Sequence, residues 1–412
     1  MATFKEYREE INRIFARYTK RGFVSYYDCR GLGNDMIDLM IRATKEFGVR
    51  REYSALFDLA NKGFLKWAKT DKDDSDGETQ DFAYYVKEAW DVVYEANDPD
   101  LMPHARMYEW FEKNLDGSVI DYMEDYLYEY VTHHFTEPEL LEKKQAFFNA
   151  KIAEAMLQEH IGDYHYEFLV PRCQRNLLFV MADMKKPIEE IRAYAKDIRY
   201  YSLKEDMAQI EFAYGNLDEV IAIYNELAAQ EDKQGWAREN WHMKLMQIYK
   251  EQGDEKQYRK ELYSAMMLNL GNEELWKIYK SGFTKEEWPE VCKKFFSEIK
   301  YGSHGMFPWY AAEERYDLIM EVLEISFSPV QLQHYEKKLK AMYPERCLAL
   351  LVQATDEMAK RSSKRSDYRH VAKNLRWICK YPGGKEKAAE LAAAFRIEYK
   401  QRRAMMEEIE EF

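Results

Sequence analysis

Arg369, Lys373, Arg376 and Lys380 follow one another at intervals of 4, 3 and 4 residues. On a helix that spacing brings four cations onto one face. Val371, Leu375 and Ile378 step in the same way and form an apolar stripe on another face. With Lys360, Arg361, Lys364 and Arg365, the stretch holds eight cations against the single Asp367, a local +7 in a chain of net charge −13. A basic stripe can neutralise phosphates, dock an acidic protein, or stand as a solvated face. The acidic balance of the whole chain opposes non-specific affinity for nucleic acid. These four residues are the candidate partner-binding positions. One internal pairing is also open: the acidic 71–81 segment meeting the stripe, within one molecule or between two.

The other reactive residue types do not assemble into a motif. Asp71-Lys-Asp-Asp-Ser-Asp-Gly-Glu78 has the flavour of a calcium loop. An EF-hand needs Asp at position 1, Gly at 6 and Glu at 12. With Gly77 at position 6, Lys72 and Ala83 fall at the two ends, so the template fails. A solvated turn ahead of a helix at 81–96 is the simpler reading, with weak cation binding by Asp74, Asp76 and Glu78 left open. His133-His134 and the pair His160 and His165 are the close histidine sets, without metal-ligand spacing. The Cys residues at 29, 173, 292, 347 and 379 are odd in number and scattered. They read as small core residues in a reduced protein, not as a disulfide framework or zinc site. Gly383-Gly384-Lys385 resembles the end of a phosphate loop, but Glu386 stands where Ser or Thr must ligate magnesium. The expectation is no catalytic residue, no cofactor, no metal and no enzyme.

What positions these residues is helix. Gly and Pro number 17 and 10 in 412 residues, about half their ordinary ~12% share. Hydrophobic residues make up 46%, yet the mean hydropathy is −0.66. Both hold together only if apolar and charged residues alternate finely, as on amphipathic helices. Apolar residues recur at three and four in Ile11-Ile14-Phe15-Tyr18, in Met36-Leu39-Met40-Ala43 and in Ala213-Leu217-Val220-Ile221-Tyr224. Thr136 with Glu139, Ser202 with Glu205 and Thr284 with Glu287 have capping-box spacing. Ser328-Pro329 marks another helix start, and Gly117, Gly215 and Gly253 mark helix ends. The pattern predicts fifteen to eighteen helices, the last running unbroken over 384–412.

Some of these helices repeat. Leu245, Ile248, Tyr249, Lys250 and Tyr258 fall on Leu275, Ile278, Tyr279, Lys280 and Trp288 at a spacing of 30. Ile210, Gly215, Val220 and Tyr224 fall on Ile248, Gly253, Tyr258 and Leu262 at 38. Tetratricopeptide units are about 34 residues long. The predicted fold is therefore all-α, an α-solenoid of stacked TPR-like helix pairs. Each pair would cover its neighbour's apolar face. Three soft regions follow: an N-terminal helical region 1–135, TPR-like repeats 136–300 and a C-terminal helical region 301–412.

Two stretches carry a family resemblance. Asp74-Ser-Asp-Gly-Glu78 precedes an aromatic-rich helix, and the chain closes on Tyr399-Lys-Gln-Arg-Arg-Ala-Met-Met-Glu-Glu-Ile409. Both resemble the helical region of bacterial proteins that carry a SWIM zinc finger. The finger itself, Cys-x-Cys followed by Cys-x-His, is absent. Its zinc and nucleic-acid roles therefore do not carry over. The resemblance implies an α-solenoid without catalytic activity.

The expected function is a non-enzymatic scaffold that binds a protein or peptide on a concave face. The alternative is an accessory factor in nucleic-acid transactions that works through the 360–380 face. No apolar run approaches the ~20 residues a membrane span requires, and no secretory leader is visible, so a cytoplasmic location is expected.

Overall fold

The computed structural model describes residues 2–115, 119, 123–157, 164–231, 233–299 and 303–412, with the side chains of 157 and 164–167 left out. The chain divides into two compact units, Met1–Val220 and Ile221–Phe412. The first holds α1 (Phe4–Tyr18), β1 (Phe23–Val24), α2 (Tyr26–Arg50), α3 (Tyr53–Ala68), β2 (Asp71–Lys72), α4 (Glu78–Ala96), α5 (His104–Asn114), α6 (Met123–His133), α7 (Pro138–Leu157), α8 (Tyr164–Asp183), α9 (Ile188–Ala195) and α10 (Leu203–Ala213). The division falls within α11 (Leu217–Ala228). The second unit continues with α12 (Gly235–Gln252), α13 (Glu255–Leu268), α14 (Glu273–Ser281), α15 (Trp288–Glu298), α16 (Phe307–Ala312), α17 (Tyr316–Ile325), α18 (Pro329–Met342), α19 (Pro344–Arg361), α20 (Arg365–Ile378), α21 (Gly384–Glu398) and α22 (Arg403–Glu408). The described residues are all-α apart from β1 and β2, which pair in parallel over two residues each. No helix among the described residues is long and apolar enough to cross a membrane.

Capping chemistry sets several helix ends. Thr3 and Glu6 form a reciprocal box at α1, and the Ser25 side chain accepts from the Asp28 amide at the start of α2. Ser328 caps α18 with Pro329 at its first position, as its sequence predicts. The Thr284 amide donates to Glu287 at 2.9 Å and the Glu287 amide to Thr284 Oγ1 at 3.2 Å. This box closes on the turn before α15, because the helix itself begins at Trp288. Two helix starts differ from expectation. Pro138 opens α7, so the helix starts beyond Thr136. The Ser202 hydroxyl donates to Asp206 at 2.9 Å instead of capping α10. Gly215 and Gly253 adopt φ of +79° and +73° after α10 and α12, the left-handed turn that a side chain disfavours. Gly117 lies outside the described residues.

The core of the first unit is aromatic. Trp67, Phe82, Trp90, Phe111 and Tyr130 are buried together. Each buried indole also finds an acceptor: Trp67 Nε1 donates to Thr79 Oγ1 at 2.8 Å and Trp90 Nε1 to Asn61 Oδ1 at 2.9 Å. In the second unit the two repeat segments become α12 with α13, joined through Gly253-Asp254, and α14 followed by α15. Leu245, Ile248 and Tyr249 are buried on α12; Leu275 is buried on α14 and Tyr279 half-buried. The 384–412 segment does not form the single helix its periodicity predicts. It breaks after Glu398, and Arg402 spans the break: its guanidinium lies 4.2 Å from the Tyr399 ring centroid and donates to the Ala359 carbonyl at 2.7 Å. That turn brings α22 back onto α20.

Candidate functional site

Helix α20 presents the basic stripe as its spacing predicts. Arg369, Lys373, Arg376 and Lys380 are exposed, while Val371, Leu375 and Ile378 are buried. Its first turn is fixed by Asp367, which accepts from the amides of Ser363 and Lys364. The stripe has carboxylate partners on the returning C-terminal segment. Arg365 lies 2.9 Å from Glu407 and 2.8 Å from Glu408, Arg369 lies 3.5 Å from Glu408, and Arg376 lies 2.6 Å from Glu411. The Arg365 and Arg369 guanidiniums hold the Glu408 carboxyl below its usual range. These are surface pairs, which solvent and salt screen strongly.

On another side of the same unit, α19 and α21 leave an open groove of about 570 Å³. Leu348, Ala349 and Val352 from α19 and Leu391 and Ala394 from α21 form its apolar floor. Glu345, Asp356, Glu390 and Lys387 stand along it, a net acidic lining in which Asp356 pairs with Lys360 at 2.6 Å and Glu390 with Lys387 at 2.7 Å. Sequence periodicity hides this groove, since Leu348, Val352 and Leu391 sit at ordinary core spacing and only the packing leaves them half-buried.

Gly383 and Gly384 sit at the start of α21 without phosphate-loop geometry. Gly383 has φ +70° and serves as the N-cap. Gly384 is needed for close approach: a Cβ there would stand 1.9 Å from the Ile378 carbonyl oxygen. Gly384→Ala is therefore expected to destabilise the second unit by about 1–3 kcal/mol, an overpacking cost against backbone. Urea denaturation checks this, and a stability equal to wild type would show that the two helix ends can part freely.

The acidic segment is not wholly a solvated turn. Asp71 and Lys72 pair with Phe23 and Val24, and the Asp73 amide donates to the Val24 carbonyl at 3.0 Å. Asp74 accepts from the Thr79 amide at 3.1 Å, which fixes the first turn of α4. Glu78 is buried, and Cys29 of α2 lies close to both carboxylates. Burial first, then the carboxylates of Asp74 and Asp76, push the Glu78 carboxyl above its usual range. Burial pushes the Cys29 thiol up to about 12. Sequence reasoning noticed Asp74 and Glu78 but not Cys29, 45 residues upstream of Asp74, where no local pattern marks it.

Among the described residues the histidines form no metal-ligand cluster. His133 pairs with Glu129 at 3.0 Å, whereas the adjacent His134 stacks on Tyr130 and faces Asp91. The hydrogen bond from His133 holds Glu129 down at about 2, with Arg175 contributing. His160 lies outside the described residues, as does the side chain of His165. His104 stacks on Tyr94 with centroids 4.0 Å apart and contacts Glu137. The five cysteines are free, and burial raises Cys173 to about 12 and Cys292 and Cys347 to about 11. Lys144 on α7 is fully buried, its Nζ without a hydrogen-bond partner, and burial brings it down to about 8. No family model, curated protein or solved structure matches this chain.

Proposed function

We propose that this protein is a non-enzymatic helical scaffold, its helix pairs stacked as a TPR-like solenoid, that binds a protein partner through a short amphipathic helix. The observation that carries the reading is the α19–α21 groove. It offers an apolar floor from two helices, with a lining of net acidic charge suited to a partner whose flanks are basic. Kinship with the helical regions that accompany SWIM zinc fingers belongs to the same proposal. The nucleic-acid alternative is the weaker one. Arg365, Arg369 and Arg376 already face carboxylates of the C-terminal segment, and phosphates would have to displace them.

A photo-crosslinking residue at Ala394 tests the proposal. The expected result is a covalent adduct to one protein, mapped to a segment with basic residues flanking an apolar helical face. Val352→Asp should abolish it, and Lys373→Ala should leave it intact. Crosslinks to nucleic acid, or an adduct indifferent to Val352→Asp, would end the scaffold reading.

A further inference from the structure

Residues 73–78 turn the chain from β2 into α4, and that turn lies against α2 at Cys29. The Cys29 Sγ and one carboxylate oxygen each of Asp74 and Glu78 lie within 4.8 Å of one another. Cys29 is wholly buried and Glu78 only 8% exposed, yet Glu78 Oε2 has no hydrogen-bond partner. Helix α2 makes room for that carboxylate at Gly33, where a Cβ would stand 3.2 Å from both Cβ and Cγ of Glu78. The fold thus spends a glycine to bury a carboxylate beside a thiol and a second carboxyl group. Such an arrangement is unfavourable unless protons or a cation enter it.

We propose that Cys29, Asp74 and Glu78 bind a thiophilic divalent metal ion of the Zn²⁺ type. The donor set excludes the alternatives. Calcium and magnesium take all-oxygen shells of six or more ligands, whereas one sulfur with two carboxylate oxygens suits zinc and its neighbours. Bond lengths of ~2.3 Å to sulfur and ~2.0–2.2 Å to oxygen place tetrahedral ligands roughly 3.5 Å apart. The three groups need move inward by only about 1 Å. A fourth position remains for water, as in three-ligand zinc sites.

In the metal-free protein Cys29 is a neutral thiol, because burial pushes it up to about 12. Metal entry replaces the thiol proton, which leaves to solvent, and no electron moves. Affinity therefore rises with pH. The metal would pin the 73–78 turn, and with it the start of α4, to α2. Neither local spacing nor a known motif marks this site in the sequence, because its ligands come from elements 45 residues apart.

The full-length chain, stripped with chelator, is titrated with Co²⁺ and with Zn²⁺. The expected result is one equivalent of Co²⁺ giving a thiolate-to-cobalt charge-transfer band. Zn²⁺ should displace the Cys29 proton and raise the melting temperature. Cys29→Ser should lose the band. Glu78→Gln keeps the side-chain volume, so it should fold, bind at least tenfold more weakly and show no melting shift with Zn²⁺. A cobalt spectrum without the thiolate band overturns the proposal, and so does wild-type affinity in Glu78→Gln.

Discussion

Arg175→Met is expected to destabilise the first unit by about 3–5 kcal/mol. Asp206 at the start of α10 is 2% exposed, and its carboxylate receives Arg175 Nε at 2.7 Å and Nη2 at 2.8 Å. The two parallel bonds are the fork geometry that lets one guanidinium satisfy one carboxylate. Ser202 adds a third bond to Asp206, and the Arg175 guanidinium also reaches Glu129 at 3.3 Å. Removing only the arginine leaves a buried charge with one hydroxyl for company, which is the expensive half of an ion pair. The double variant Arg175→Met, Asp206→Leu removes both charges and should recover most of the loss. Amide exchange in α8 and α10, read beside urea melting of the whole chain, localises the effect. A single variant within about 1 kcal/mol of wild type would mean that water reaches Asp206 and the pair is not sealed.

That pair shows where the sequence stops being informative. Ser202 and Glu205 have the spacing of a capping box, so reading along the chain assigns Ser202 to the helix end. In the fold the serine serves Asp206 instead, four residues on, whose buried carboxylate is held by Arg175. Arg175 lies 31 positions before Asp206. The same limit applies to the closing helix. Phe395 and Tyr399 before it and Met405 and Ile409 after it suggest one continuous apolar face, and only the contacts of Arg402 with Ala359 and Tyr399 show why the chain turns there. The Ala213–Tyr224 periodicity crosses Gly215, and there the glycine, not the periodicity, marks where one helix ends and the next begins.

Where both partners lie within one or two turns, the sequence was enough. The stripes on α20, the cap at Ser328 and the stops at Gly215 and Gly253 needed no distant residue. The basic face was legible to the residue, but its carboxylate partners were not. Glu407, Glu408 and Glu411 belong to a segment whose turn depends on tertiary contacts. Cys29 is the extreme case. A scattered cysteine is ordinarily core, and only the path of the chain through β2 sets two acids beside it.

Glu313 is the corresponding test in the second unit. Its carboxylate receives Trp276 Nε1 at 3.0 Å, Trp288 Nε1 at 2.7 Å and Lys280 Nζ at 2.8 Å. Both indoles are buried, and Trp276 stacks on Phe296 and Trp309 in the centre of the core. Three donors from two helices converge on one acceptor just after α16, so the residue ties α14, α15 and α16 together. Glu313→Gln keeps the shape but turns one oxygen into a donor facing donors. With a buried N–H left unmade at ~1–3 kcal/mol and the lysine pair lost, the expected cost is about 2–4 kcal/mol. Tryptophan fluorescence in a urea titration reads it directly. The pH dependence has a definite sign. Burial pushes this carboxyl up, but the bonds from Lys280, Trp288 and Trp276 outweigh it and hold the folded value below normal. A depressed carboxyl contributes its stability fully above the unfolded value of ~4.3 and loses it as pH falls through the folded one. Wild type should therefore lose stability below about pH 4–5 more steeply than Glu313→Gln, and the gap between them should narrow with acid. Parallel curves would show that the two indoles, not the carboxylate's charge, account for the whole effect.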